Sequence, residues 1–197
     1  MNNKTMFEDE LSQWPVIIAI AGSNGAGKST FYTTYWKQTN LPFIDADVIA
    51  NDRGIDAYAA AEMAESLRRT FLRRHESIIF ETVLSDPVGA KVDFLAEAVE
   101  SGFNVVFCFI ALRDAETSEQ RVNMRVTQGG HDVPMEKILD RHPRTLANLK
   151  RAITRLPRVN IYDNSDLNNP FQLVAVYRDG RLASEFDSLP DWLRDFQ

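Results

Sequence analysis

Val16-Ile17-Ile18-Ala19-Ile20-Ala21-Gly22-Ser23-Asn24-Gly25-Ala26-Gly27-Lys28-Ser29-Thr30 is the stretch on which the reading of this chain turns. From Gly22 to Ser29 it fits the pattern G-x-x-x-x-G-K-[ST] completely. The apolar residues ahead of the pattern read as a buried parallel strand. The residues behind it, Thr30 to Lys37, read as the first turns of a helix. A strand, a glycine-rich loop and a helix N-terminus in that order aim several N–H groups and the helix dipole at one point, where Lys28 adds a full charge. Such a loop holds a polyphosphate, with Gly22, Ser23, Asn24, Gly25, Ala26, Gly27, Lys28, Ser29 and Thr30 around it. The Ser29 hydroxyl is placed for Mg²⁺, so ATP and Mg²⁺ are the expected cofactors.

The rest of the chain is consistent with a small nucleotide-binding enzyme. Its 197 residues suit one domain with a sizeable core. The net charge of −6 argues against broad attraction to nucleic acid. Cys108 is the single cysteine and sits in the apolar run Val105 to Ile110, where a buried structural role is expected. No apolar stretch approaches a membrane span and no signal-peptide core precedes Trp14, so a cytoplasmic location is expected.

Apolar runs alternate with helical patterns, which predicts an α/β fold: a P-loop NTPase of nucleotide-kinase type, with a parallel sheet flanked by helices. Strands are expected over 41–44, 77–80, 104–112 and 158–162. Met63, Ala64, Leu67 and Phe71 mark a helix over 57–74. Val88, Val92, Leu95 and Val99 mark another, and Gly102 stops it. Residues 115–128 read as helical up to Gly129-Gly130. Pro134 opens a helix whose face carries Ile138, Leu139, His142, Leu146, Leu149, Ile153 and Leu156. The tail predicts a C-terminal β-hairpin over 172–186, turned at Asp179-Gly180, and a short closing helix within 189–196. Residues 1–197 thus read as a single domain, with a polar segment over 1–14 and a helix–lid–helix region over 115–155.

The motif set excludes neighbouring classes. There is no N-K-x-D guanine-reading motif and no L-S-G-G-Q segment, and the chain is short for a motor or ring ATPase. A small-molecule kinase remains. Asp45 and Asp47 follow the second strand and Glu81-Thr82 the third, all at the carboxyl edge where open α/β sheets bind ligands. Two apart in an extended segment, Asp45 and Asp47 are expected to project in the same general direction. Phosphoryl transfer needs a carboxylate that orients the nucleophile and accepts its proton, and Asp47 is the candidate base. Asp45, Glu81 and Thr82 are candidates for the acceptor pocket. Arg121 and Arg125 precede Gly129-Gly130-His131-Asp132-Val133-Pro134, and Arg141 and Arg144 follow it. This pattern predicts a lid that closes over the nucleotide and delivers guanidinium charge to the γ-phosphate. His131 is a candidate phosphate or substrate contact.

With these residues in view, the chain resembles the zeta-toxin-like P-loop kinases. The matching pieces are Gly22–Thr30, Phe43–Asp47, Ile79–Thr82, Arg121-Val122-x-x-Arg125-Val126, Gly129–Pro134 and Tyr162–Ser165. The toxin branch of that family phosphorylates a UDP-activated amino sugar with ATP and Mg²⁺. The resemblance implies Asp47 as the base, Glu81 in the acceptor pocket and Lys28 on phosphate. It further implies Arg121 or Arg125 as charge donor and Tyr162–Ser165 near the nucleotide base. Larger toxins carry a second arginine about where His131 stands here, which shifts that duty to Arg141 or Arg144. An antitoxin-type protein partner is implied by the same resemblance. Two rival readings share the loop: an ATP-gated binding module that phosphorylates nothing, and a nucleic-acid end kinase, which the acidic balance disfavours.

Overall fold

Alternation along β1 (Val16–Gly22) sets the architecture. Ile17, Ala19 and Ala21 join one buried cluster, and Val16, Ile18 and Ile20 join a second. A strand buried on both faces must lie centrally in a sheet covered on both sides. The computed structural model describes residues 13–127, 133–185 and 189–194, with the Glu185 side chain left aside. In it β1 lies between β3 (Ile78–Thr82) and β4 (Asn104–Ala111), parallel to both. With β2 (Phe43–Ile44), β5 (Arg158–Asp163), β6 (Gln172–Arg178) and β7 (Arg181–Glu185) the sheet runs β2-β3-β1-β4-β5-β6-β7. The first five of these are parallel, and β6 and β7 extend the sheet antiparallel. The predicted parallel sheet and C-terminal hairpin are therefore both present. Asp179 and Gly180 take φ of 48° and 77°, the paired positive values that a tight primed hairpin turn requires.

One face is covered by α3 (Ala57–Arg74), α4 (Ala90–Glu100) and α6 (Met135–Arg155), which contribute Ala64, Leu72, Val92, Leu95, Leu149 and Ile153. The other is covered by the segment after the phosphate loop. There α1 (Lys28–Phe31) widens into a π-helical turn at Tyr32–Trp36 and tightens into a 3₁₀ turn at Lys37–Thr39. The wider turn explains how Phe31 and Trp36, five apart, are both fully buried against the sheet. Phe31 also packs on Tyr162 and Phe171, with ring centroids 4.9 and 5.3 Å away. Burying side chains of this size stabilises the fold by roughly 1.5–3 kcal/mol each.

The faces expected for α4 and α6 are buried at Val92 and Leu95 and at Ile138, Leu149 and Ile153, whereas that of α3 is shifted. In α3 the buried positions are Ala60, Ala64, Arg68 and Leu72, while Leu67 is 37% exposed. Small alanines fix the face because they let the helix approach the sheet, and an arginine lies within it. Leu139 on α6 and Val88 ahead of α4 are likewise exposed. Pro143 sits inside α6 at an exposed position, and the helix runs through it. The expected Gly129-Gly130 break and His131 lie outside the described residues. So do Gln128, the last residue of the helix expected over 115–128, Phe186 of the expected hairpin and Phe196 of the closing helix; the described helices there are α5 (Ala115–Thr127) and α7 (Asp191–Arg194).

Candidate active site

The carboxyl ends of β1, β3, β4 and β5 open on one edge, and each supplies part of the site. The phosphate loop leaves β1. Gly22 must be glycine, because a Cβ there would stand 2.1 Å from the Ile110 carbonyl oxygen on β4. Lys28 is only 6% exposed, and its Nζ donates to the Ser23 carbonyl oxygen at 3.0 Å. Ser29 and Thr30 are exposed at the mouth of the loop. Asn164, after β5, holds the loop from the far side: its Nδ2 donates to the Ala26 carbonyl at 2.8 Å and the residue is buried. Asn164→Ala leaves that carbonyl buried without a partner, at a cost of about 1–3 kcal/mol. We expect a lower denaturant midpoint together with weaker nucleotide binding.

Glu81, next to last in β3, joins two parts of the site. One carboxylate oxygen accepts from Ser29 Oγ at 2.9 Å, and the other lies 3.6 Å from Lys28 Nζ. The same residue lines a cleft of about 150 Å³ with Asp45, Asp47, Thr82, Arg68 and Lys91. Asp45 and Asp47 do not share the extended segment expected of them. Asp45 caps α2 (Ala46–Arg53), accepting the Asp47 N–H at 2.8 Å, and Asp47 lies in the first helical turn. The correction follows from that bond: an aspartate side chain satisfying an N–H two residues on is a helix start. Both residues still line the cleft, Asp47 from an exposed position. Thr82 accepts the Leu84 N–H at 3.0 Å and so shapes the loop after β3. From α6, Thr145 donates to the Val83 carbonyl and Asn148 to those of Leu84 and Asp86. Neither contact was legible in the sequence.

Burial pushes the Asp45 carboxyl up to about 6, helped by Glu81 and Asp47 and opposed by the Asp47 N–H and Lys28. An acid whose pKa is raised on folding binds more protons folded than unfolded between the two values. Stability therefore falls as pH rises from about 4 to about 6 and is level beyond. Asn caps a helix as well as Asp. Asp45→Asn should thus raise the melting temperature at pH 7 by at least about 2–4 °C and flatten its pH dependence, measured by thermal scans from pH 4 to 8.

The arginines do different things. Arg121 on α5 donates to the Asn164 and Ser165 carbonyls at 3.0 and 3.1 Å, fastening that helix to the end of β5 beside the loop. Arg125, one turn on, is exposed. Arg144 pairs with Asp140. Arg141 reaches the phosphate loop, 3.4 Å from Asn24 Oδ1. Arg113, Arg121, Met124, Ser165, Leu167 and Asn168 help to line a second cleft, of about 550 Å³. Arg68 and Lys91 were missed as cleft residues. The signal for Arg68 was its i, i+4 spacing from Ala60 and Ala64.

A phosphate loop on a central parallel strand, facing a carboxylate-lined cleft across the sheet edge, defines the fold of a P-loop kinase. Residues 56–172 match the zeta toxin family model, and the chain belongs to the zeta toxin family. No curated protein sequence matches it. Among solved structures it is similar to the AvrRxo1-ORF1:AvrRxo1-ORF2 complex with sulphate ions. There the identity is 17%, the TM-score 0.67, and the match covers 98% of this chain and 67% of that one. The same complex with ATP gives 17% identity and a TM-score of 0.65, covering 93% and 65%. The PezAT chromosomal toxin-antitoxin system of the human pathogen Streptococcus pneumoniae gives 20% and 0.55, covering 92% and 77%. This chain thus spans about two thirds of the AvrRxo1 chain it matches, and at these identities the likeness is one of fold. Among the described residues no helix is long and apolar enough to cross a membrane.

Proposed function

We propose that the chain is an ATP-dependent kinase that phosphorylates a hydroxyl of a small metabolite, with a UDP-amino sugar as first candidate. The observation that carries this reading is Glu81, which touches Ser29 and Lys28 of the phosphate loop and lines the cleft that holds Asp47. Donor and acceptor would meet across it. In this reading the Asp47 carboxylate takes the acceptor's proton as its oxygen bonds to the γ-phosphorus. The bond from that phosphorus to the bridging oxygen breaks, and ADP leaves. Lys28 and the loop N–H groups hold the phosphates, and Arg141, 3.4 Å from Asn24 Oδ1, is the arginine assigned to deliver charge to them.

The donor set of Ser29 hydroxyl and Glu81 carboxylate is all oxygen, which suits Mg²⁺ with phosphates and water completing its shell. When bound, Mg²⁺ would neutralise phosphate charge. The cleft between Arg121, Met124 and Leu167 is assigned to the nucleotide base. Residues 1–197 are taken as one kinase domain with its lid within 115–155. A cytoplasmic site of action and an antitoxin-type protein partner belong to the same proposal; the PezAT system is by its name a toxin-antitoxin pair.

The test incubates the protein with γ-labelled ATP, Mg²⁺ and a small-molecule cell extract. A labelled metabolite made by the wild type and not by Asp47→Asn supports the kinase. Phosphate release alone, equal in both, supports the ATP-gated binding module instead.

A further inference from the structure

Arg68 is a cation where the fold has least reason to place one. It occupies the sheet-facing stripe of α3 between Ala64 and Leu72 and is 4% exposed. Its guanidinium carbon lies 5.1 Å from the centroid of the Phe80 ring, on the strand that also carries Glu81. Nη2 donates to Glu65 at 2.5 Å, and Nε is buried without a partner. Glu65 is itself shared: it also accepts from Arg69, and Lys91 Nζ stands 3.9 Å away. The Glu65 carboxyl is accordingly lowered, against its own burial, by Arg68, Lys91 and Arg69. One carboxylate is thus divided among three cations, and a buried guanidinium left short of acceptors is costly unless something else supplies them.

Arg68 and Lys91 both line the acceptor cleft, together with Asp45, Asp47 and Glu81. The cleft therefore has an acidic set, suited to hydroxyl hydrogens, and a basic set with no phosphate-loop duty. Its volume of about 150 Å³ is that of roughly five waters at ~30 Å³ each, so it receives a compact polar fragment. A guanidinium in such a place pairs best with a planar or tetrahedral oxyanion, which it grips through two N–H groups.

Resting on the kinase reading, we propose that Arg68, seconded by Lys91, binds an oxyanion of the acceptor, so that the substrate is an anionic hydroxy compound bearing a carboxylate or phosphate near the hydroxyl that is phosphorylated. The neutral fragment of a sugar or polyol alone would leave Arg68 with only its share of Glu65.

The experiment divides a small-molecule extract on an anion-exchange column and offers each fraction to the full chain with γ-labelled ATP and Mg²⁺. Label is expected in acceptors from the retained fraction. Phosphatase treatment of that fraction beforehand abolishes labelling if the oxyanion is a phosphate monoester and spares it if a carboxylate or a phosphodiester. With the labelled acceptor purified, Arg68→Met should raise KM at least tenfold with kcat held within threefold, and Arg68→Lys should recover part of the loss. If Arg68→Met does not fold, Lys91→Gln, altered at a partly exposed position, should still raise KM for the anionic acceptor by about threefold. Label confined to the unretained fraction overturns the proposal while leaving the kinase intact. So does an unchanged KM in a folded Arg68→Met. No labelled product from either fraction removes the kinase reading, and this inference with it.

Discussion

Asp47→Asn is expected to lower phosphoryl transfer by roughly 10²–10⁴-fold, the usual contribution of a positioned general base, while nucleotide binding persists. That loss corresponds to about 3–5.5 kcal/mol of transition-state stabilisation. The amide keeps the size and the hydrogen-bonding oxygen of the carboxylate and loses only its ability to take a proton. Loss of the helix start does not imitate the effect, because Asp45, not Asp47, caps α2. The Asp47 side chain is therefore not needed to start its helix. Transfer of label from γ-labelled ATP to acceptor, read beside nucleotide affinity in the same preparations, checks the prediction. Full transfer by the variant would take Asp47 out of the base role.

Lys28→Ala is expected to act on both partners of the reaction, with kcat/KM lower by roughly 10²–10³-fold and weaker nucleotide binding. Lys28 is buried, and its ammonium is held between the Ser23 carbonyl and Glu81. Removing it takes a charge from the phosphates and leaves Glu81 facing Asp45 and Asp47 with less compensation. Lys28 is one of the groups that hold the Asp45 pKa down. Its loss should therefore push Asp45 higher and extend the fall in stability beyond about pH 6. Nucleotide titration with thermal scans across that range measures both effects. Wild-type affinity together with wild-type turnover would remove the phosphate-loop assignment.

Much of the site was legible because its signals are local. The run from Val16 to Ser29 carries strand, loop and helix start within one continuous pattern. Asp179-Gly180 specified a hairpin turn through two positive φ values that few other residue pairs accept. The short helix α2 was not legible: no residue of Ala46–Arg53 is buried, so it has no apolar stripe to read. Its start depends on a single side-chain bond from Asp45. The face of α3 was read in part: Ala64 is buried and Phe71 packs on the core as expected, but Leu67 looks more apolar than Ala60, and close packing on the sheet selects the small residue.

The amino-acid sequence by itself determined that a phosphate loop would sit on a buried parallel strand and that carboxylates would follow neighbouring strands, because both facts reside in contiguous residues. Tertiary structure alone decided which of them meet. Ser29 and Glu81 are 52 residues apart and come within 2.9 Å because β1 and β3 pair in register, Ile20 opposite Glu81. Arg121 was drawn to the end of β5 and Arg141 to Asn24 by the docking of α5 and α6. Arg68 entered the cleft beside Glu81 because α3 turned its alanine stripe inward. Pairing and packing across long separations depend on the whole sheet, so no local pattern could have announced them.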